Sequence, residues 1–459
     1  MIKKILFGFL LFVCGNRAHA QCNADAPKTY YLAQTSAPGE IYRPNGSAWK
    51  GGDTIKITGT SYSVIEFNNV GGDACRPLVI MPQTSLTTPV FRFRNNCRYI
   101  KVWGGPSAYG IKISGGALAI TKSHHITAEN IEISGGSIGV YCKTDYDAND
   151  SETWQPGYVM TGMVFRNLWI HDINGEGMYL GHTSPDGVVY NGVNRVPIRL
   201  DSVEVSNCLV ERTQWDGIQL SNARNGNKIF NNTVKNFGLL NKSSQQAGII
   251  LGGNTTGDVY NNKVMYGTGN GIELFGYGVI NCNDNIVDST GWDGTTNGQH
   301  SIYASDYITT YESNPKQTAR IYNNHVVKPK SAGAIFVTGY ANNSYPSFVD
   351  NNKLCIAAPP PNWLTAYIKA NPANSVISNN ALYCETTSAL PIKFLSLAAV
   401  KISDKVYKVT FEVEEDADLD HYEIIVQEPG GVKRNLKVIV PDGHLAGRKT
   451  YTQTVSIAQ

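Results

Sequence analysis

The sequence predicts an all-β protein: a right-handed parallel β-helix followed by a small antiparallel β-sandwich. Three observations carry this. An asparagine with apolar residues behind it recurs along most of the chain. Between those asparagines, a small residue followed by an apolar-x-apolar step recurs in register with them. Near residue 389 both patterns stop and longer alternating strands begin. Only 17% of residues are charged and 45 are glycine, a composition that favours strands and turns over helices.

Residues 1–20 read as a signal peptide. Lys3 and Lys4 form the charged start, Ile5 to Val13 the apolar stretch, and Ala18-His19-Ala20 the small-x-small cleavage site. The apolar run is too short for a bilayer, which needs about 20 residues. No later segment is long and apolar enough either. The expectation is a secreted or cell-surface protein without a transmembrane segment, acting as a monomer. Residues 21–51 are expected to be a lead-in cap. Without Lys3, Lys4 and Arg17, the 39 basic residues become 36 against 37 acidic ones. That balance offers no basic field for nucleic acid.

The asparagine repeat runs Asn130 (NIEI), Asn167 (NLWI), Asn207 (NCLV), Asn232 (NTV), Asn262 (NKV), Asn285 (NIV), Asn324 (NHV), Asn352 (NKL) and Asn380 (NAL). Spacings of 23, 25, 28 and 28 suit one coil of a solenoid, and those of 37, 40 and 39 suit a coil with an inserted loop. A corner asparagine bonds its own backbone and the neighbouring turn, so the repeat is expected to form a stacked asparagine ladder.

The second repeat is GIKI (110–113), GVYC (139–142), GMYL (177–180), GIQL (217–220), GIIL (248–251), GIEL (271–274), SIYA (301–304) and GAIF (333–336). Each reads as a short strand with one buried face, entered through a tight corner. One coil cannot bury its own apolar face, so the coils must stack with equivalent strands paired in parallel. Ile218, Ile249, Ile272 and Ile302 are then one internal column, and Leu220, Leu251 and Leu274 another.

This variable spacing with glycine corners resembles the pectate-lyase-like superfamily of parallel β-helices over roughly residues 52–385, within a solenoid expected at 52–388. The resemblance implies a fold and, more weakly, an extracellular polysaccharide as partner. The family's own catalytic signatures are missing: there is no Arg-x-Pro-x-x-Arg, no paired-Asp, Gly-His-Gly and Arg-x-Lys set, and no convincing Lys/Arg lyase site.

Polar insertions at 143–160, 183–200, 288–300 and 305–320 are expected to wall a binding face. Residues 359–371 (PPPNWLTAYIKAN) predict a short helix capped by Asn362 that covers the open end of the last coil. Beyond it, VTFEV (409–413), YEIIV (422–426), LKVIV (436–440) and YTQTVSI (451–457) read as a sandwich at 389–459. With LPIKFLSLAA (390–399) and DHYEI, that segment resembles the fibronectin-III-like module of secreted Bacteroidetes proteins.

Chemistry is expected on the outer side of the second repeat. Its corner residues are Ile138, Glu176, Asp216, Ala247, Asn270, His300 and Ala332. Its outward residues are Tyr141, Tyr179, Gln219, Ile250, Glu273 and Tyr303. Aromatic faces stack on sugar rings, while carboxyls and amides read hydroxyls. The catalytic candidates are Glu176, Asp216, Glu273 and His300. The substrate-binding candidates are Tyr141, Tyr179, His182, Trp215, Gln219, Asn270, Trp292 and Tyr303. The competing reading is turn chemistry alone, since Asp-Gly and Asn-Gly are common corner pairs. His171 and His182 are further candidate bases, and Arg212 and Arg224 are expected to pair with nearby acids.

A glycoside hydrolase needs two carboxyls, which this face supplies; a lyase needs cations, which are scarcer there. The alternative function is non-catalytic glycan binding or adhesion. If an enzyme, the expected pair is Glu176 and Asp216. Equivalent corners in adjacent coils put their carboxyls about 5 Å apart, the separation of a retaining glycosidase.

Two further expectations concern cross-links and metal. Cys75 and Cys97 begin similar segments 22 residues apart, and Cys355 and Cys384 lie 29 apart after equivalent asparagines. Both pairs are expected to stack within disulfide range. No CxxC exists, which argues against zinc. In KTDYDANDSE (143–152), Asp145, Asp147 and Asn149 have the alternating oxygens of a Ca²⁺ loop, without its usual Gly and final Glu.

Overall fold

The computed structural model describes residues 25–33, 40–43, 48–106, 108–291, 299–305, 317–330, 333–338, 346–371, 373–384, 393–403, 406–415, 422–427, 433–439 and 447–456. The signal peptide, Ala332, Trp292 and most of the 305–320 insertion lie outside these residues.

Each full coil of the solenoid carries three short strands. One coil runs Val164–Arg166, Trp169–Ile173 and Met178–Leu180, and the next runs Glu204–Ser206, Leu209–Thr213 and Ile218–Leu220. First strands stack into a 13-stranded parallel sheet from Thr29–Leu32 to Ser375–Ser378. Second and third strands pair in parallel with their own equivalents, as Ile170 does with Val210 and Ile218 with Ile249. The chain is therefore a parallel β-helix. The expected internal columns form: Ile218, Ile249, Ile272 and Ile302 are in register and buried, as are Leu220, Leu251 and Leu274. Where glycine enters a third strand it permits close stacking: a Cβ on Gly217 would stand 2.5 Å from the Gly248 carbonyl oxygen.

The asparagine repeat proves to be two positions. Asn232, Asn262, Asn285, Asn324, Asn352 and Asn380 form the ladder. Asn262 Nδ2 donates to Asn285 Oδ1 at 3.0 Å and to the Ile229 carbonyl at 2.9 Å, and the pattern repeats along the column. Asn130, Asn167 and Asn207 sit one residue earlier in the coil, at a left-handed corner with φ of 61°, 52° and 54°. Later coils fill that corner with Asn231, Asn261, Asp284, Asn323, Asn351 and Asn379. Register explains the difference: Leu209 pairs with Thr233, so Cys208 rather than Asn207 is level with Asn232. The ladder thus starts at Asn232, and its first rung binds the Cys208 amide at 2.9 Å.

The insertions at 143–160 and 183–200 both leave the solenoid after a third strand and pack on each other. Gln155 N donates to the Val196 carbonyl at 2.8 Å, and the Tyr146 ring lies 4.7 Å from Tyr190 and 4.9 Å from Trp154. The second insertion ends in a hairpin, Val188–Tyr190 with Val193–Arg195.

Three expectations need correction. The helix Trp363–Tyr367 forms, but the Asn362 side chain makes no cap bond and no helix residue is buried. It bridges two strands of one coil, because Ile368–Ala370 continues the solenoid by pairing with Ile335–Thr338. It does not close the helix end. Cys355 and Cys384 are bonded as expected, with Cα atoms 4.4 Å apart. Cys75 and Cys97 are not: Cys97 is a free buried thiol, whereas Cys75 is exposed and in another disulfide. The strand register does level the two, since Leu78 pairs with Ile100. However, Asp73 and Arg76 close a turn that carries Cys75 off the coil surface.

After the solenoid, Lys393–Ser403, Val406–Glu415 and Gly447–Ser456 form a three-stranded antiparallel sheet, and Tyr422–Gln427 with Lys433–Ile439 forms a hairpin. Among the described residues no helix is long and apolar enough to cross a membrane.

Candidate functional site

The outward residues of the third strands form one continuous column. In successive coils it runs Tyr141, Tyr179, Gln219, Ile250, Glu273, Tyr303, Phe336 and Lys369. The corner column holds its predicted order from Glu176 to His300, but its next member is Gly333 and not Ala332, because Ile302 pairs with Ile335. The amides of Gly139, Gly177, Gly217, Gly248 and Gly271 donate in turn to the carbonyls of Glu176, Asp216, Ala247, Asn270 and His300. Acids, amides and aromatics that are far apart in sequence therefore share one face.

Two aromatic shelves bracket the acids. At one end Tyr141 and Tyr179 meet edge-on at 6.3 Å, with Lys143 Nζ 5.5 Å and 4.6 Å from their ring centres. At the other, Tyr303 stacks on Phe336 at 5.7 Å, and Phe275 meets Tyr303 edge-on at 5.4 Å. Phe275, Phe336, Lys242 and Lys369 were not among the sequence candidates. Phe336 escaped because GAIF is one residue out of step with SIYA: Tyr303 pairs with Phe336, so Ala334 rather than Gly333 is level with Ser301.

Between the shelves lie three carboxyls. Glu176 and Asp216 occupy equivalent corners of adjacent coils, as predicted, but both are buried, at 4% and 0% exposure. Burial raises the Glu176 pKa. It raises that of Asp216 well above the ordinary range, and the charges of Glu273 and Glu176 add to the effect. Asp216 Oδ1 accepts the Ala247 amide at 2.7 Å, while Oδ2 is buried without a protein partner. Lys242 faces these acids from the 236–248 bend, with Nζ 3.5 Å from the Trp215 ring centre. Because Asp216 has no exposed surface, it does not meet a chain lying along this face.

Glu273 differs. It is half-buried on the outward column, and burial pushes its pKa up to about 7, against the pull of the Asn270 hydrogen bond. Asn270 Nδ2 donates to Glu273 Oε1 at 2.6 Å. Asn270 Oδ1 accepts the His300 backbone amide at 2.5 Å. His300 Nδ1 lies 2.6 Å from the Gly333 carbonyl, which can only accept, so Nδ1 carries the proton and Nε2 holds the lone pair of the neutral ring. Burial lowers the His300 pKa and favours that neutral form. Its ring packs 5.6 Å from Tyr303 and 4.7 Å from Phe336. Glu273, Asn270, His300 and Tyr303 are thus brought together, with an acid near neutral pH beside a neutral imidazole.

The remaining candidates are placed as follows. Gln219 is buried in the column, its Nε2 without a protein partner. His182 Nε2 approaches Asp145 at 4.0 Å, and its Nδ1 accepts the Ser184 amide at 3.1 Å. His171 lies on a second strand, away from the column, with Nδ1 2.7 Å from Asp172. Arg212 binds that same Asp172 at 2.7 Å and Glu211 at 2.7 Å, the acid pairing expected of it. Arg224 lies on the Tyr277 ring at 3.7 Å.

In the expected calcium loop the aspartate oxygens engage protein groups. Asp145 binds Tyr141 Oη at 2.5 Å and Lys143 Nζ at 2.8 Å, while Asp147 folds back onto the Asn149 amide at 2.9 Å. Among the described residues no group of three or more His, Cys, Asp or Glu side chains could hold a metal ion. A protonatable carboxyl among aromatic side chains is what this face offers.

No family model matches the chain, and no curated protein matches it. Solved structures do. The alginate lyase from Paenibacillus sp. str. FPU-7 is 12% identical with a TM-score of 0.38, covering 78% of this chain and 99% of that one. The pectate lyase Pel9A is 13% identical with a TM-score of 0.38, covering 80% and 83%. The A-module of the Azotobacter vinelandii mannuronan C-5 epimerase AlgE4 is 11% identical with a TM-score of 0.38, covering 78% and 87%.

Proposed function

We propose that this is a secreted, carbohydrate-active protein that cleaves an extracellular polysaccharide, as a glycoside hydrolase or a lyase. The observation that supports this reading is Glu273. It is a half-buried carboxyl with a pKa of about 7, set between two aromatic shelves along one groove. Perturbed acids of this kind cluster at sites that transfer protons. In this reading Glu273 protonates a leaving oxygen or takes a proton, and His300 Nε2 is the companion base. Tyr141, Tyr179, Tyr303 and Phe336 stack on sugar rings. Six coil steps separate Tyr141 from Phe336, about 29 Å at the usual strand spacing, enough for several sugar units. Glu176 and Asp216, being buried, act on the groove's electrostatics rather than on the glycan. Residues 1–20 are read as the export signal, and 389–459 as a fibronectin-III-like accessory module.

The burial of Glu176 and Asp216 favours one alternative, a non-catalytic glycan-binding protein that uses the same aromatic column. The test is incubation of the purified protein with a panel of polysaccharides, reading reducing ends and unsaturated-uronate absorbance together. New reducing ends without absorbance indicate hydrolysis, and both together indicate elimination. Binding to a glycan without either product would replace the enzymatic reading with the binding one.

A further inference from the structure

The corner column that enters the third strands is a second ladder, built like the asparagine ladder but with mixed residues. At Asp216 a side-chain oxygen accepts the amide of the next corner residue, Ala247, at 2.7 Å. At Asn270 a side-chain oxygen accepts the amide of the next corner residue, His300, at 2.5 Å. The two residues play one structural role two coils apart, because Ile218 pairs with Ile249 and Ile249 with Ile272. They differ in what the other side-chain atom does. In the asparagine ladder proper, Nδ2 is used up on a backbone carbonyl and the next asparagine, as Asn262 shows with Ile229 and Asn285. In Asn270 that Nδ2 reaches along its own strand to Glu273 Oε1 at 2.6 Å.

We propose that Asn270 is the positioning residue of the groove, the side chain that holds the Glu273 carboxyl in fixed relation to the His300 corner. The proposal rests on the reading of Glu273 as the groove's acid. One half of the amide serves the fold and the other half serves the acid, so the two roles separate by substitution. Asn270→Asp keeps an oxygen for the His300 amide. The chain itself shows that an aspartate fits this corner, since Asp216 makes the same bond. What Asn270→Asp removes is the donor to Glu273, and it puts a second carboxyl there instead. Two carboxyls sharing a site resist double ionisation. Asn270→Ala removes both halves.

The experiment uses the full-length protein and follows the Glu273 carboxyl by ¹³C NMR through a pH titration, with Glu273→Gln identifying its signal. In Asn270→Asp the Glu273 midpoint should move up by about one pH unit or more, with thermal melting at pH 5 unchanged. In Asn270→Ala melting should fall at every pH, because the His300 amide loses its acceptor. On a cleaved glycan, Asn270→Asp should lower kcat about tenfold or more with KM nearly unchanged, and move the pH–rate limb with the Glu273 midpoint. An unmoved Glu273 midpoint in Asn270→Asp would overturn the proposal. If the midpoint moves but no glycan is cleaved even by the unaltered protein, the positioning stands and the enzymatic reading fails.

Discussion

Asp216 Oδ1 accepts the backbone amide of Ala247, one coil further along the solenoid, while Asp216 Oδ2 is buried with no protein partner. The carboxyl therefore does an asparagine's work at the corner, in surroundings that oppose its charged form. Its folded pKa is raised above the unfolded value. Stability from this group is thus complete at acid pH and lost as pH rises through the interval between the two. Asp216→Asn keeps the acceptor and removes the charge. Thermal melts should show the variant close to wild type at pH 4 and increasingly more stable above it, by about 1–3 kcal/mol at pH 8. A variant less stable than wild type at pH 8 would mean that the carboxylate form is the one the fold requires.

Glu273 gives a narrower pH window. Its pKa moves from an ordinary 4.5 to about 7. Between those values the native state keeps a proton that the unfolded chain has released, so stability falls with rising pH, by about 1.4 kcal/mol per unit for this group. Glu273→Gln should flatten that part of the stability profile. If Glu273 acts as an acid, cleavage by the wild type should also decline above about pH 7, and Glu273→Gln should lose most of the activity.

The two asparagine positions should respond differently to substitution. Asn324 is bonded on both sides of the ladder: its Oδ1 accepts from the Asn285 backbone and side chain at 3.1 and 2.9 Å, and its Nδ2 donates to the carbonyls of Cys282 and Tyr322 and to Asn352 Oδ1 at 2.9, 3.2 and 3.0 Å. Asn324→Ala leaves several of those buried groups unpaired and should cost about 3 kcal/mol or more. Asn207→Ala meets only the penalty of a left-handed corner, about 1–2 kcal/mol. Denaturant midpoints of the two variants decide this. Equal losses would remove the distinction.

The aromatic shelf should matter to binding and not to folding. Tyr303→Ala and Phe336→Ala each remove a half-buried ring on the outward column. Each should weaken retention on whichever polysaccharide the wild type binds, with melting changed by no more than about 1 kcal/mol. Unchanged retention in the double variant would move the glycan off this column.

Thiol chemistry checks the coil register at the two predicted bridges. Without reductant, Cys355 and Cys384 should resist alkylation, whereas Cys97, Cys142, Cys208 and Cys282 should react only after unfolding. Peptide mapping should find no Cys75–Cys97 bridge.

Much of the solenoid was legible because its signals are periodic. Gly-Ile-Gln-Leu, Gly-Ile-Ile-Leu and Gly-Ile-Glu-Leu must place isoleucine and leucine inward and the third residue outward, since side chains alternate along a strand. That parity puts Tyr141, Tyr179, Gln219, Glu273 and Tyr303 in one column before any coordinates are known, and the register confirms it. The asparagine repeat was legible as a corner. It was not resolved into two corners, because Asn207 and Asn232 sit before similar apolar pairs and differ by a single place in the coil.

By itself, then, the sequence determined which residues face out and in what coil order, because strand alternation and repeat spacing are local properties. Only the tertiary structure decided how deep each one lies. Glu176 and Asp216 carry the same corner motif as an exposed acid would, yet the 236–248 bend and neighbouring coils close over them. Glu273, which the sequence reading ranked behind Glu176 and Asp216, is the carboxyl left half-buried and tied to Asn270. Cys75 is level with Cys97 by count, but a four-residue turn carries it to the surface. Depth and pairing depend on how inserted loops fold back over the coils, and no repeat encodes that.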